Sequence, residues 1–173
     1  FHTPDITELP LLTLVDEDDE AHRTEGEHDL ELAFKLGEGG MGVVYLARQT
    51  SLQRDVAIKQ LKRHAKTPER VLALLREAVV NGMLEHPNIV PIHGLGRTRE
   101  HAPVIIMKRI EGLSWQLMMR NEDHPYWAGI GDAEHRLERH IEILIHICNA
   151  VDFAHSRGVI HRDIKPSNVM VGE

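Results

Sequence analysis

From Leu30 onward the apolar positions come in short runs, and "LELAFKLGEGG" and "VVYLARQ" read as two strands joined by a glycine-rich tip. "DVAIKQL", "NIVPIHGLG" and "PVIIMKRI" supply three more, so the pattern predicts five antiparallel strands. Between the third and fourth the period changes. In "TPERVLALLREAVVNGML", Val71, Leu74, Leu75, Ala78 and Val79 fall on one helical face, Thr67 is placed to cap, and Pro68 suits the first helical position. After Gly112 the pattern turns helical around "SWQLMMRN", crosses the loop "EDHPYWAGIGDAE" and enters a long helix from about Leu137 to Arg157, ended by Gly158. Ile141, Leu144, Cys148 and Val151 form one stripe on that helix and Ile143, Ile147, Ala150 and Ala154 another, which predicts burial on nearly every side. The fold class is α+β.

Charge divides the chain. Residues 1–29 hold ten acids and one arginine against a total of −7, leaving the remainder near +2. "VDEDDEAHRTEGEHD" has no apolar period and cannot bury enough surface to offset ordering, so an acidic, disordered leader is expected to end near Asp29. The apolar "ELPLLTLV" within it is read as linker with no assigned function. A length of 173 residues suits one domain or parts of two lobes. No stretch approaches the ~18 apolar residues of a membrane span. The single cysteine, Cys148, excludes an intramolecular disulfide and fits a reducing, cytoplasmic compartment; its apolar neighbours predict a core thiol. The chain opens on Phe1 without a basic and apolar targeting run, so its start is read as a cut.

Gly37, Gly39 and Gly42 make G-x-G-x-x-G, a pattern shared by several nucleotide folds. Here Gly42 leads into the β-formers Val43, Val44 and Tyr45 rather than a helix, so the loop caps a hairpin whose backbone N–H groups can approach phosphate oxygens. Lys59 sits among apolar residues in "VAIK", where an ammonium needs an anionic partner. Glu77, one turn after Leu74, can reach it from the helix.

The last run, "HRDIKPSN", completes an ordered set with "GEGGMGVV", "VAIK" and the helical glutamate, and on these motifs the sequence resembles the eukaryotic-type serine/threonine protein kinases, in the style of bacterial members. The resemblance covers Leu30 to Glu173 and implies a kinase-like fold. Residues 30–111 would be a five-stranded N-lobe with one helix, and 112–173 the first, mainly helical part of a C-lobe. It implies ATP and Mg²⁺ as cofactors and serine- or threonine-bearing proteins as substrates. No nucleic-acid partner is expected, and membrane attachment of a parent protein is left open.

By the same resemblance, Gly37, Gly39 and Gly42 cover the phosphates, and Lys59, paired with Glu77, holds two of them. Val44 and Ala57 line the adenine pocket, Met107 is the gatekeeper, and the backbone of Lys108 and Ile110 meets the base. Asp163 accepts the substrate hydroxyl proton, Lys165 neutralises charge on the transferred phosphoryl, and Asn168 holds magnesium. Lys165 marks the serine/threonine type, and Arg162 resembles kinases switched on by phosphorylation of an activation loop. His161 is read as structural, packed and hydrogen-bonded beneath the loop. Two departures stand out: Lys108 and Arg109 occupy a hinge where an acid is common, and no D-x-G follows Asn168. The chain is therefore expected to be an excerpt of a longer kinase, inactive alone. The alternatives are a nucleotide-binding pseudokinase and an interaction module that keeps the fold.

Overall fold

The computed structural model describes residues 2–12, 14–16, 29–40 and 42–172. The chain divides into two units, residues 1–85 with 90–109, and residues 86–89 with 110–173.

The first unit is built on a six-stranded sheet of β1 (Leu14–Asp16), β2 (Leu30–Glu38), β3 (Gly42–Gln49), β4 (Arg54–Leu61), β5 (Ile92–Arg97) and β6 (Pro103–Lys108). Its spatial order is β1-β2-β3-β4-β6-β5. The five antiparallel strands are those the alternation predicts. Val56, Ile58, Val104 and Ile106 point to one face and pack with Leu30, Leu32 and Ala47. Leu61 and Ile105 point to the other and meet Leu74 and Ala78 of α1 (Pro68–Gly82). Burial on both faces explains the unbroken apolar run of β6, and each fully buried Ile or Val there contributes about 1.5–3 kcal/mol. Helix α1 begins as expected, with the Thr67 hydroxyl accepting from the Arg70 N–H and Pro68 in the first turn.

The sixth strand corrects the leader. β1 lies parallel to β2, in the register Leu14↔Leu30, Val15↔Glu31 and Asp16↔Leu32. Before it, Ile6–Glu8 form a 3-10 turn and Leu9 is buried. The apolar residues of "ELPLLTLV" can offset ordering where the acidic run after them cannot. Residues 17–28, the core of the expected disordered leader, lie outside the described residues.

The second unit contains β7 (Gly112–Ser114), α2 (Trp115–Arg120), α3 (Ala133–Ser156) and β8 (Met170–Gly172), with β7 and β8 paired antiparallel. Its core joins Met118, Trp127, Ile143 and Val171. Trp127 comes from the expected loop "EDHPYWAGIGDAE", which instead forms a 3-10 turn at Pro125–Trp127 and seats that indole in the core. Helix α3 starts earlier than its apolar period suggests because Asp132 caps it, accepting from the Glu134 and His135 N–H groups. Gly158 ends it at φ +73°, where its N–H and that of Val159 satisfy the His155 and Ala154 carbonyls.

The expectation that α3 is buried all round is not met. Ile143 and Ala154 are buried and Ile147 and Ala150 half-buried, whereas Leu137, Ile141, Leu144 and Ile145 are exposed. Cys148, on the uncovered stripe, is an exposed thiol rather than a core one. A bare stripe of this kind seldom stays solvated, so the 173-residue chain is expected to self-associate; light scattering of Leu144→Glu against the parent should show the larger species diminish. A monodisperse parent would contradict this. Among the described residues no helix is long and apolar enough to cross a membrane.

Candidate active site

The strand register gathers the residues predicted for the nucleotide. Gly37, Val44 and Lys59 are neighbours across β2, β3 and β4, and Ala57 sits between Leu46 and Met107 across β3, β4 and β6. At the glycine tip the Gly39 N–H donates to the Gly42 carbonyl at 2.9 Å. Gly42 is required by packing, since a Cβ there would lie 2.5 Å from the Gln60 carbonyl oxygen. Gly37 and Gly39 have open space around them, which leaves the tip's backbone accessible.

Reading the motif missed Glu38. Its carboxylate accepts from Lys62 at 2.6 Å and Lys35 at 3.0 Å, tying the tip of β2 back to the end of β4. Hydrogen bonds from these two ammonium groups hold its pKa down at about 2. Its position between Gly37 and Gly39 was the available signal.

Lys59 lies on β4 and Glu77 on α1, and their side chains meet: Nζ is 2.5 Å from one carboxylate oxygen and 2.8 Å from the other. The lysine side chain is 21% exposed and the glutamate 36%, so the pair is partly shielded and open on one side. Packing of Leu74 and Ala78 against Ile105 and Leu61 fixes α1 at the distance this contact needs.

At the end of β6, Met107 is half-buried and the Lys108 N–H donates to the Pro91 carbonyl at 3.0 Å. Lys108 could therefore receive a base only through its own carbonyl. Arg109 pairs with Asp55 at 2.5 Å, a carboxylate it shares with Arg48 at 3.2 Å, so the sheet offsets part of the unusual positive charge. Ile110 belongs to the second unit.

In that second unit the residues predicted for catalysis converge. The Lys165 ammonium lies 3.0 Å and 2.8 Å from the two oxygens of Asp163. The Asn168 side-chain N–H group donates to the Asp163 backbone carbonyl at 2.8 Å and to its carboxylate at 3.0 Å. The hydrogen bond from Lys165, then that from Asn168, lowers the pKa of Asp163 below its ordinary value. The turn Pro166–Asn168 brings Asn168 back, and Arg162 adopts φ +64°, a left-handed conformation uncommon outside glycine. His161 accepts the Asp163 N–H through Nδ1 at 3.2 Å, but it is exposed, so the expected packing beneath the loop is absent.

The family model described as a protein kinase domain matches residues 30–173. The chain belongs to the protein kinase family. Curated relatives are serine/threonine kinases of bacteria. One is the serine/threonine-protein kinase PknB of Mycobacterium leprae, 37% identical over 145 residues, a match covering 82% of this chain and 22% of the relative. Another is the serine/threonine-protein kinase pkn3 of Myxococcus xanthus, 36% identical over 137 residues, covering 79% and 23%. The chain thus spans under a quarter of the length of these relatives. The crystal structure of the Mycobacterium tuberculosis PknI kinase domain is similar at TM-score 0.64 and 26% identity, covering 83% of this kinase chain and 55% of that one.

Proposed function

We propose that this chain is the nucleotide-binding part, and the first portion of the catalytic part, of an ATP-dependent serine/threonine protein kinase. Residues 30–111 are assigned to the nucleotide lobe and 112–173 to the start of the second lobe. The single observation that carries the reading is the Lys59–Glu77 pair, whose ammonium is held by a carboxylate and remains partly open to a second anion.

The remaining groups suit phosphoryl transfer, in which positioning and distributed positive charge supply most of the catalysis. The glycine tip offers backbone donors to phosphate oxygens, with Val44, Ala57 and Met107 as the apolar surface for a base and the Lys108 carbonyl and Ile110 backbone as its polar edge. Asp163 orients the substrate hydroxyl and accepts its proton, and Lys165 offsets charge on the transferred group.

In the second unit, the Asn168 side chain suits a magnesium ion. Both bonds that fix Asn168 use its nitrogen, leaving the amide oxygen as the hard ligand such a cation takes. When bound, the ion would neutralise phosphate charge. The lysine two positions after Asp163 and the relatives' activities support serine and threonine over tyrosine as acceptors. A cytoplasmic setting suits the lone Cys148.

The test uses the 173-residue chain. ATP with magnesium is expected to raise its melting temperature, and Lys59→Met to abolish the rise, while radiolabelled transfer to a generic serine/threonine substrate stays at the level of an Asp163→Asn control. The expected deficit follows from the absence of an Asp-x-Gly after Asn168 in these residues. A magnesium-binding contact of that kind is typically worth ~3 kcal/mol or more at the transition state. No nucleotide-dependent shift would favour an interaction module, and transfer above the control would overturn the inactivity expected of this length.

A further inference from the structure

The segment before β2 makes contacts that neither the glycine tip nor the catalytic loop explains. Thr3 borders a shallow cleft on α1, beside Arg76, Val79 and Val80. The chain then reaches the edge strand β5, where Arg97 is engaged three times. Its backbone N–H donates to Pro10, its carbonyl accepts from Leu12, and its guanidinium donates to Leu9. Leu12 and Leu14 go on to cover the apolar cluster on the face of the sheet away from α1, and β1 closes on the opposite edge strand, β2. Residues 3–12 and 14–16 therefore run from the helix side of β5 to the far face and meet both edges of the five-stranded sheet.

The receiving surface is shaped for this segment. A Cβ on Gly96 would overlap the Leu12 side chain and come within 2.9 Å of the Pro10 carbonyl oxygen, so glycine there keeps a cradle open. Leu95, next to it, packs with Ile92 against the cluster that holds Leu74 and Ala78 of α1. Strap, β5 and α1 thus form one continuous stack, and α1 carries Glu77 immediately after Arg76 of the strap's cleft. β2 carries the glycine tip. Both elements on which the strap closes bear nucleotide-directed groups.

We propose that residues 3–16 are an intramolecular strap whose docking holds α1 and β2 in the arrangement where Lys59 meets Glu77, and whose release loosens both. Covering two sheet edges would also suppress edge-to-edge pairing with other chains. The consequence for nucleotide binding rests on the kinase reading; the docking itself does not.

The experiment is amide hydrogen exchange on the full chain, comparing the parent, the double variant Leu9→Asp/Leu12→Asp and Gly96→Val. The double variant puts charge at buried Leu9 and, through position 12, against the apolar cluster, and Gly96→Val fills the cradle while leaving the strap's own sequence unchanged. Exchange in β5, β2 and α1 is expected to speed up about tenfold in each variant while α3 is unchanged, the pattern of a local opening. A synthetic peptide of residues 1–16, added in excess to the double variant, should restore the slow exchange. The same peptide carrying both aspartates should not, nor should the normal peptide rescue Gly96→Val. Faster exchange in β5 with α1 unchanged would reduce the strap to an edge cover and overturn the coupling. Equal acceleration in α3, or failure of the normal peptide to rescue the double variant, would overturn it too. ATP-induced melting shifts on the same samples separate the two readings. A missing shift in the parent counts against the kinase reading alone, and a parent shift kept in full by both variants counts against the strap.

Discussion

Asp163→Asn, in any catalytically competent form of this chain, is expected to lower the phosphoryl-transfer rate by roughly 10²–10⁴-fold, the range a positioned general base contributes, with nucleotide affinity nearly unchanged. The side chain is exposed, and its partners Lys165 and Asn168 are on the same short loop, so the loss is of chemistry rather than of fold. Asparagine keeps the shape but offers neither the negative charge that Lys165 meets nor an oxygen able to take a proton. The pH profile of the parent carries a second expectation. Lys165 first, then Asn168, lowers the Asp163 pKa, so the carboxylate is ionised at and above the ordinary aspartate range. Activity should be lost only as pH falls below that range and the base becomes protonated. Steady-state rates from pH 4 to 8 check this; an acid limb well above the aspartate range would take the base role away from Asp163. Equal losses in affinity and rate for Asp163→Asn would indicate misfolding.

The parts of the molecule most legible in its sequence are those where one periodicity or one motif dominates. β4 and β6 are short β-branched runs buried on both faces, and α1 carries both its cap and its apolar stripe in the same eighteen residues. The convergence of Asp163, Lys165 and Asn168 was readable because they are close in sequence and meet through that local turn. The strap was not readable in the same way. Its short apolar run does not distinguish a strand from linker, and what orders it is a distant glycine, Gly96, that leaves room for Leu12. β7 was hidden likewise, because three residues acquire a strand's geometry only by pairing with β8. Helix α3 shows the opposite error: two apolar stripes predicted two covered faces, and hydrophobicity alone does not say which neighbour covers each. Glu38 lay inside a recognised motif, yet its role depends on Lys62, which only the register of β2, β3 and β4 brings near.

Lys59→Met should leave the first unit folded and remove productive nucleotide handling. The methionine stem matches most of the lysine's length, so the apolar surroundings of β4 stay filled, and losing a partly exposed ion pair costs the fold about 1 kcal/mol or less. At the site the cost is larger, because on the proposed reading the ammonium that Glu77 holds is the group that meets phosphate. Removing such a preorganised charge is expected to reduce the transfer rate by roughly 10²–10³-fold. The pairing makes a sharper expectation possible. If Glu77 acts by positioning Lys59, then Glu77→Gln alone should weaken transfer, yet add little to a chain already carrying Lys59→Met. Their combined effect should fall well short of the product of the two. Measured rates for the parent, both single variants and the double variant, with melting temperatures as a control for folding, decide the matter. Multiplicative losses would show that Glu77 and Lys59 act on the nucleotide independently, and full activity in Lys59→Met would withdraw the lysine from the site.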